Sequence, residues 1–357
     1  MGEWEMRFLA IALALLAATN GARAGSPYQA TDLSPAEAGI AVATTINSAG
    51  TAAGYVYPEG LDKYDDWTPA IFASGGVTTL NPLPGYIFGD ITGINDAGQA
   101  VGWSTTAYGP VPGVTHATLF SGGKATDLGV LPGGAASEAL AINAYGDAAG
   151  LSEVPTLEGQ LTHAALFSHG AVIDLGTLPD SIYSIATAIN NRGQAVGFSV
   201  LASGATHAAL FADGKVTDLG LLPGGSISAA YGINDLGQIV GTADLPTGNL
   251  RAVVFENGAV RDLGTLPGGS SSSAAAINIW GQIVGTSDGV GGTGALFENG
   301  TVIALPNLPG DLFSYPFAIN NAGEIVGVSS YFPEGTPQHA VLWTLAHQFV
   351  PPGTRRP

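Results

Sequence analysis

Apolar residues fall along this chain in short runs closed by Gly, Asn or Pro, punctuation too frequent for a helical protein. The stretch from Ser228 to Gly269 shows the unit. Ala229 to Ile233 reads as a strand of small residues that ends at Asn234. Asn234-Asp235-Leu236-Gly237 reads as a tight turn, in which Asn bonds the backbone ahead of it and Gly takes a positive φ. Gln238 to Thr242, β-branched in its middle, reads as a second strand. After a loop of variable length come a third strand, Arg251 to Phe255, a turn at Glu256-Asn257-Gly258, and a fourth strand, Ala259 to Leu263. Leu266-Pro267-Gly268-Gly269 leads into the next unit.

The unit recurs. The dipeptide Ile-Asn ends at Asn47, Asn95, Asn143, Asn190, Asn234, Asn278 and Asn320, in steps of 48, 48, 47, 44, 44 and 42 residues. Every copy has a Gly three residues after the Asn and a second Gly seven after it. Four antiparallel strands per copy predict an all-β fold, a seven-bladed β-propeller of four-stranded blades. The third strand ends in an aromatic each time (Phe72, Phe120, Phe167, Phe211, Phe255, Phe297, Trp343), a slot suited to packing between neighbouring blades. The last copy stops after His339 to Trp343 without a fourth strand, while Tyr28 to Leu33 matches the fourth strand at Lys124 to Leu128. The N-terminal strand is therefore expected to complete the last blade and close the ring, leaving no sheet short. An open array would need capping repeats.

Composition narrows the class. Hydrophobic residues make up 46% of the chain, enough for a sizeable core, and 53 Gly with 22 Pro suit short strands and tight turns. Ten Lys and Arg and a net charge of −18 leave no basic stripe for nucleic acid and no attraction to anionic membranes. The absence of Cys removes disulfides, thiolate metal sites and Cys nucleophiles together. Met6-Arg7, the apolar run Phe8 to Ala18 and the small-x-small site Ala22-Arg23-Ala24 read as a signal peptide over residues 1–24, too short to span a bilayer permanently. The expected organisation is that leader, a seven-repeat propeller over residues 25–347 and a disordered tail over 348–357. The expected product is a secreted or periplasmic monomer.

The His-Ala-led third strand, the Asp-Leu-Gly segment after it and the Ile-Asn-x-x-Gly turn together resemble the HAF family of bacterial extracellular repeats, over roughly residues 27–345. The naming motif departs from the family pattern, since His116-Ala117-Thr118-Leu119-Phe120 sets two residues between Ala and the aromatic. The resemblance implies fold and export, and no activity.

The titratable residues that recur are better scaffold than chemistry. The slot opening the third strand holds Thr68, His116, His163, His207, Arg251, Thr293 and His339. The fourth-strand acid slot holds Asp32, Thr79, Asp127, Asp174, Asp218, Asp262 and Ala304. A catalytic acid is needed once or as a close pair, not in most copies of a ring. Both slots lose their polar residue together at Thr68/Thr79 and Thr293/Ala304, which predicts a His–Asp or Arg–Asp pair in each intact copy. Leu131-Pro132-Gly133-Gly134 and its equivalents lack the Lys-Ser/Thr of a phosphate loop and read as turns.

A specific site is then expected where copies differ. The turn side looks uniform, and the face carrying the second-to-third-strand loops does not. Its candidate ligand-binding residues are Tyr57, Glu59, Asp62, Tyr64, Asp65, Asp66, Trp67, Trp103, Tyr108, Tyr331 and Phe332. The function expected from this pattern is non-enzymatic binding of a glycan or an extracellular protein through that loop face. The alternative is a polysaccharide-acting hydrolase or lyase that uses the loop carboxylates, Glu153 among them. No cofactor motif is present, and calcium is the one cation that acidic loops leave open.

Overall fold

The computed structural model describes residues 26–35, 38–58, 67–73, 76–106, 113–156, 159–256, 258–289, 294–331 and 338–346. The expected signal peptide and C-terminal tail lie outside the described residues. Among the described residues every regular element is a β-strand. Five sheets have four antiparallel strands that follow chain order, as in Ser228–Ile233, Ile239–Asp244, Leu250–Glu256 and Ala259–Asp262. An eight-stranded sheet holds the remaining strands. Its two halves meet at a single parallel pair, Ile40 with Gln338. One half is the first repeat; the other is the last repeat, to which the N-terminal strand Tyr28–Asp32 is added. That strand runs antiparallel to Gln338–Leu345, with Tyr28 opposite Leu345 and Asp32 opposite Val341.

The first strand of each repeat contacts the first strand of the next, and that of the last repeat contacts that of the first. Next to its pairing with the second Gly of the motif, each of these strands carries an extra residue: Thr44, Thr92, Leu140, Thr187, Tyr231, Ala275 or Phe317, and two strands shift register a second time, at Ala38/Ile40 and Ser181/Tyr183. Such a bulge bends the strand and pushes a carbonyl towards its partner. The second Gly of the motif stands there, and a Cβ on Gly241 would lie 2.0 Å from the Ala229 oxygen. The first Gly of the motif serves a different need, a positive φ, as at Gly237 (+83°).

The core lies between successive sheets. Phe255, in the fifth repeat, packs with Ile239 and Val253 of its own sheet and with Val196 and Ala208 of the fourth. The same mode joins the last repeat to the first, through Val326 and Ala340 against Ala41 and Phe72. Trp343 is fully buried beside Tyr28, Leu296 and Ile325. Each such aromatic contributes about 2–3 kcal/mol by leaving water, so the aromatic slot read from the sequence holds neighbouring sheets together.

Candidate functional site

The Asn turns form a bonded circuit. Asn234 Oδ1 accepts the N–H groups of Leu236 at 3.1 Å and Gln238 at 3.0 Å. Its Nδ2 donates to Gln238 Oε1 at 2.7 Å and to the Asn278 carbonyl of the next repeat at 2.9 Å. The inter-repeat bond runs from Asn47 through Asn95, Asn143, Asn190, Asn234 and Asn278 to Asn320. Asn320 Nδ2 then donates to the Asn47 carbonyl at 3.0 Å and returns the circuit to its start. All seven side chains are buried, as polar groups can be only when their bonds are met.

Six of these asparagines (all but Asn47), the Ile before each of the seven and the residue after each line a cavity of about 220 Å³. The residue after Asn varies: Ser48, Asp96, Ala144, Asn191, Asp235, Ile279 and Asn321. Where the next repeat offers Asp or Asn, its Oδ1 accepts the backbone N–H of the preceding repeat. Ser48 donates to Asp96 at 2.7 Å, Ala144 to Asn191 at 2.8 Å, Asn191 to Asp235 at 2.8 Å and Ile279 to Asn321 at 3.1 Å. Where the next repeat has Ala144, Ile279 or Ser48, this bond is not made. Among the described residues, the N–H groups of Asp96, Asp235 and Asn321 meet no protein acceptor. Three donors are thus left at the mouth of the cavity.

One position further on, the repeats divide again. Ala49, Ala97 and Ala322 stand on one side, and Tyr145, Arg192, Leu236 and Trp280 occupy four consecutive repeats on the other. Tyr145 is 71% exposed, Leu236 59% and Trp280 73%. The indole Nε1 of Trp280 donates to the Asn321 carbonyl at 2.9 Å, which draws the ring towards the next turn. Large apolar groups held this exposed are informative in a way that an exposed Ala is not. Farther from the turns, the bulge residues Leu140 and Tyr231 pack with Tyr183, Ile185 and Phe198. Burial pushes the Tyr231 phenol up to about 12. Burial, then the Glu138 charge, raises that of Tyr183 as well.

The four sequence-derived candidates among the described residues lie elsewhere, and three of them are buried or half-buried. Glu59, Asp62, Tyr64, Asp65, Asp66, Tyr108 and Phe332 lie outside the described residues. Tyr57 is 4% exposed and Trp103 8%. Trp67 stacks on Tyr55 with centroids 5.2 Å apart and meets Trp103 at 6.2 Å, an aromatic file that packs the first two sheets together. Tyr331, at 48% exposure, is the described candidate most open to solvent. Glu153, one of the proposed loop carboxylates, accepts the Ala135 N–H at 3.3 Å. Asp244 is bound into its own loop: burial raises its carboxyl, but the N–H groups of Ile227 and Ser226 and the Ser226 hydroxyl outweigh this and hold it below the usual carboxylate range. Among the described residues no group of three or more His, Cys, Asp or Glu could hold a metal ion.

The recurring pairs exist. His116 Nδ1 lies 2.7 Å from Asp127, His163 2.9 Å from Asp174 and His207 2.7 Å from Asp218, while Arg251 Nε donates to Asp262 at 3.2 Å. The last repeat differs because its outer strand comes from the N-terminus. Asp32 accepts the Ser34 N–H at 2.8 Å, and His339 lies 3.1 Å from Asp311 instead. The residues after Asn escaped the sequence reading because they resemble ordinary turn filler. Their signal was the alternation of Ala with Tyr, Leu and Trp at one position of an otherwise constant motif.

Similar solved structures identify the architecture. The chain is similar to the β-propeller domain of the trilobed protease from Pyrococcus furiosus, at a TM-score of 0.50 and 10% identity, over 81% of this chain and 91% of that one. It is similar to a puromycin hydrolase, at a TM-score of 0.50 and 15% identity over 78% of this chain, and to an acylaminoacyl peptidase of Pyrococcus horikoshii, at 0.51 and 10% over 80%. It spans 48% of each of those two chains. These likenesses correct the expectation of a non-enzymatic binder working through its variable loop face. Propellers of this shape stand within a protease, a hydrolase and a peptidase, so the fold gives no ground for setting enzymes apart, and the aromatics Tyr57 and Trp103 serve packing. No protein-family model matches the chain, and no curated protein matches it. No helix among the described residues is long and apolar enough to cross a membrane. The fold is a β-propeller.

Proposed function

We propose that the chain is a seven-bladed propeller closed by its N-terminal strand, and that it binds a ligand at the central mouth on the Asn-turn face. The returning circuit of seven Asn side chains and the pairing of Tyr28–Asp32 with the last strand support seven blades and closure. The eight-stranded sheet is then two blades joined by the Ile40–Gln338 pair. The leader-like first 24 residues and the likeness to HAF repeats support export to the medium or periplasm.

One observation carries the choice of site. A motif that is constant at Asn and at both glycines breaks its repetition at the two positions after the Asn, the first of which lines the cavity. The break leaves three backbone donors unmet and sets Tyr145, Leu236 and Trp280 in solvent beside them. Turn residues vary freely, so large apolar groups held exposed beside those donors, and not variation alone, mark the site.

The test is an amide-resolved titration of isotope-labelled protein against a mixed-sequence peptide pool, a mixture of neutral oligosaccharides and inorganic phosphate. The expected first responders are the N–H groups of Asp96, Asp235 and Asn321 and the Trp280 indole. Trp280→Ala is expected to weaken the responding probe by about thirtyfold, the usual cost of removing an aromatic anchor. Responses confined to Tyr331 and the loop face would reject the site.

A further inference from the structure

Resting on that reading of the mouth, we infer that its ligand is an extended polypeptide segment carrying a Lys or Arg side chain. The three unmet N–H groups require acceptor oxygens, and they stand in the second, fifth and seventh repeats, spread around the opening. One small anion cannot reach donors so dispersed. A peptide backbone presents carbonyl oxygens at short intervals along its length and can meet more than one.

The mouth also offers negative charge. Asp96 gives only Oδ1 to the protein, to the Ser48 N–H, and its Oδ2 has no protein partner among the described residues. Asp235 accepts from the backbone and the carboxamide of Asn191. Two carboxylates against the single Arg192 in these turns, on a chain of net charge −18, disfavour an anionic ligand and attract a cationic one. A bare cation would satisfy the carboxylates and leave the N–H donors unmatched. The hydroxyls of a neutral sugar can bond both kinds of group but leave the carboxylate charge unneutralised.

The apolar side of the rim fits the rest of such a segment. Trp280 and Tyr145 offer aromatic faces to a cationic head or its aliphatic stem, and Leu236 with Ile279 offers apolar contact to a neighbouring side chain. In the first, second and last repeats the position of Trp280 holds Ala49, Ala97 and Ala322, which add no large side chain. Crowding on one side and clearance on the other give the bound segment a direction.

The decisive experiment uses the full chain and four defined probes: a blocked octapeptide with one central Lys, the same peptide with Glu there, free lysine, and maltohexaose. The Lys peptide is expected to shift the Asp96, Asp235 and Asn321 amides and to bind at least about tenfold more tightly than the Glu peptide and free lysine. Asp96→Asn, which keeps an Oδ1 acceptor for Ser48, is expected to reduce the Lys-over-Glu preference while leaving the Asn-circuit amides unmoved. Equal binding of the Lys and Glu peptides would overturn the cationic requirement. Shifts at the mouth from maltohexaose but not from peptides would overturn the polypeptide and keep the mouth. If no probe moves the mouth amides, both the ligand class and the site fall.

Discussion

The innermost and outermost strands of each repeat both carry a residue signature, but they tolerate departures very differently. Every copy keeps the Asn and both glycines at the inner end. The outer slots lose His or Arg together with Asp at Thr68/Thr79 and Thr293/Ala304. Burial explains the contrast. Asn190 is 3% exposed and bonded on every polar atom, whereas the Asp127 side chain facing His116 is 44% exposed. A buried polar group left unmet costs about 1–3 kcal/mol, and an exposed ion pair contributes about 0–1 kcal/mol. Strict repetition in this molecule marks burial or a positive φ, so function is better sought where a buried framework presents unequal residues.

The contrast should break first at the N-terminal strand, which is outermost by position yet buries Tyr28 against the Trp343 cluster. Removing residues 26–33 exposes that cluster and leaves the outer edge of the last strand without its N-terminal partner. The melting temperature followed by circular dichroism is expected to fall by about 10 °C or more. A fall no larger than that from an outer-slot substitution would mean that the strand does not close the ring.

The two kinds of glycine sharpen the comparison. Gly241→Ala drives a Cβ into the Ala229 carbonyl, 2.0 Å away, and is expected to cost about 3 kcal/mol or more in urea unfolding. Gly214→Ala, at φ +69° in an outer turn with nothing within 4 Å, is expected to cost about 1 kcal/mol from backbone strain alone. Similar values for the two would deny the inner strand its special status. The smallest effect belongs to the outer pair: His163→Ala is expected to cost about 0.5 kcal/mol in the same assay.

Much of the framework was legible because it repeats. The spacing of Asn47 through Asn320 gave the units, and the orphan segment at Tyr28 gave its own partner strand. The joint loss of His and Asp gave their pairing, except at His339, whose partner Asp311 lies in a connecting segment that no periodicity marks. The second Gly of each motif was visible without its cause, because a one-residue bulge shifts hydrogen-bond register and leaves no composition signal. The mouth was hidden for the opposite reason. Its residues occupy turn positions where almost any side chain is tolerated, so Tyr145, Leu236 and Trp280 gained meaning only when each was seen to follow a residue that lines the cavity. Trp67 and Trp103 misled because an aromatic in a variable segment can serve packing as readily as binding.

Closure is tested most directly by amide hydrogen exchange at the seven asparagines. The Asn47 N–H donates to Thr51 at 3.0 Å and that of Asn320 to Glu324 at 2.9 Å, as in the other repeats. A closed circuit predicts that Asn47 and Asn320 exchange within about tenfold of Asn143, Asn190 and Asn234, all in the slow class set by global unfolding. Exchange at Asn47 and Asn320 faster than the others by about a hundredfold would place an opening at that junction and contradict the closed ring.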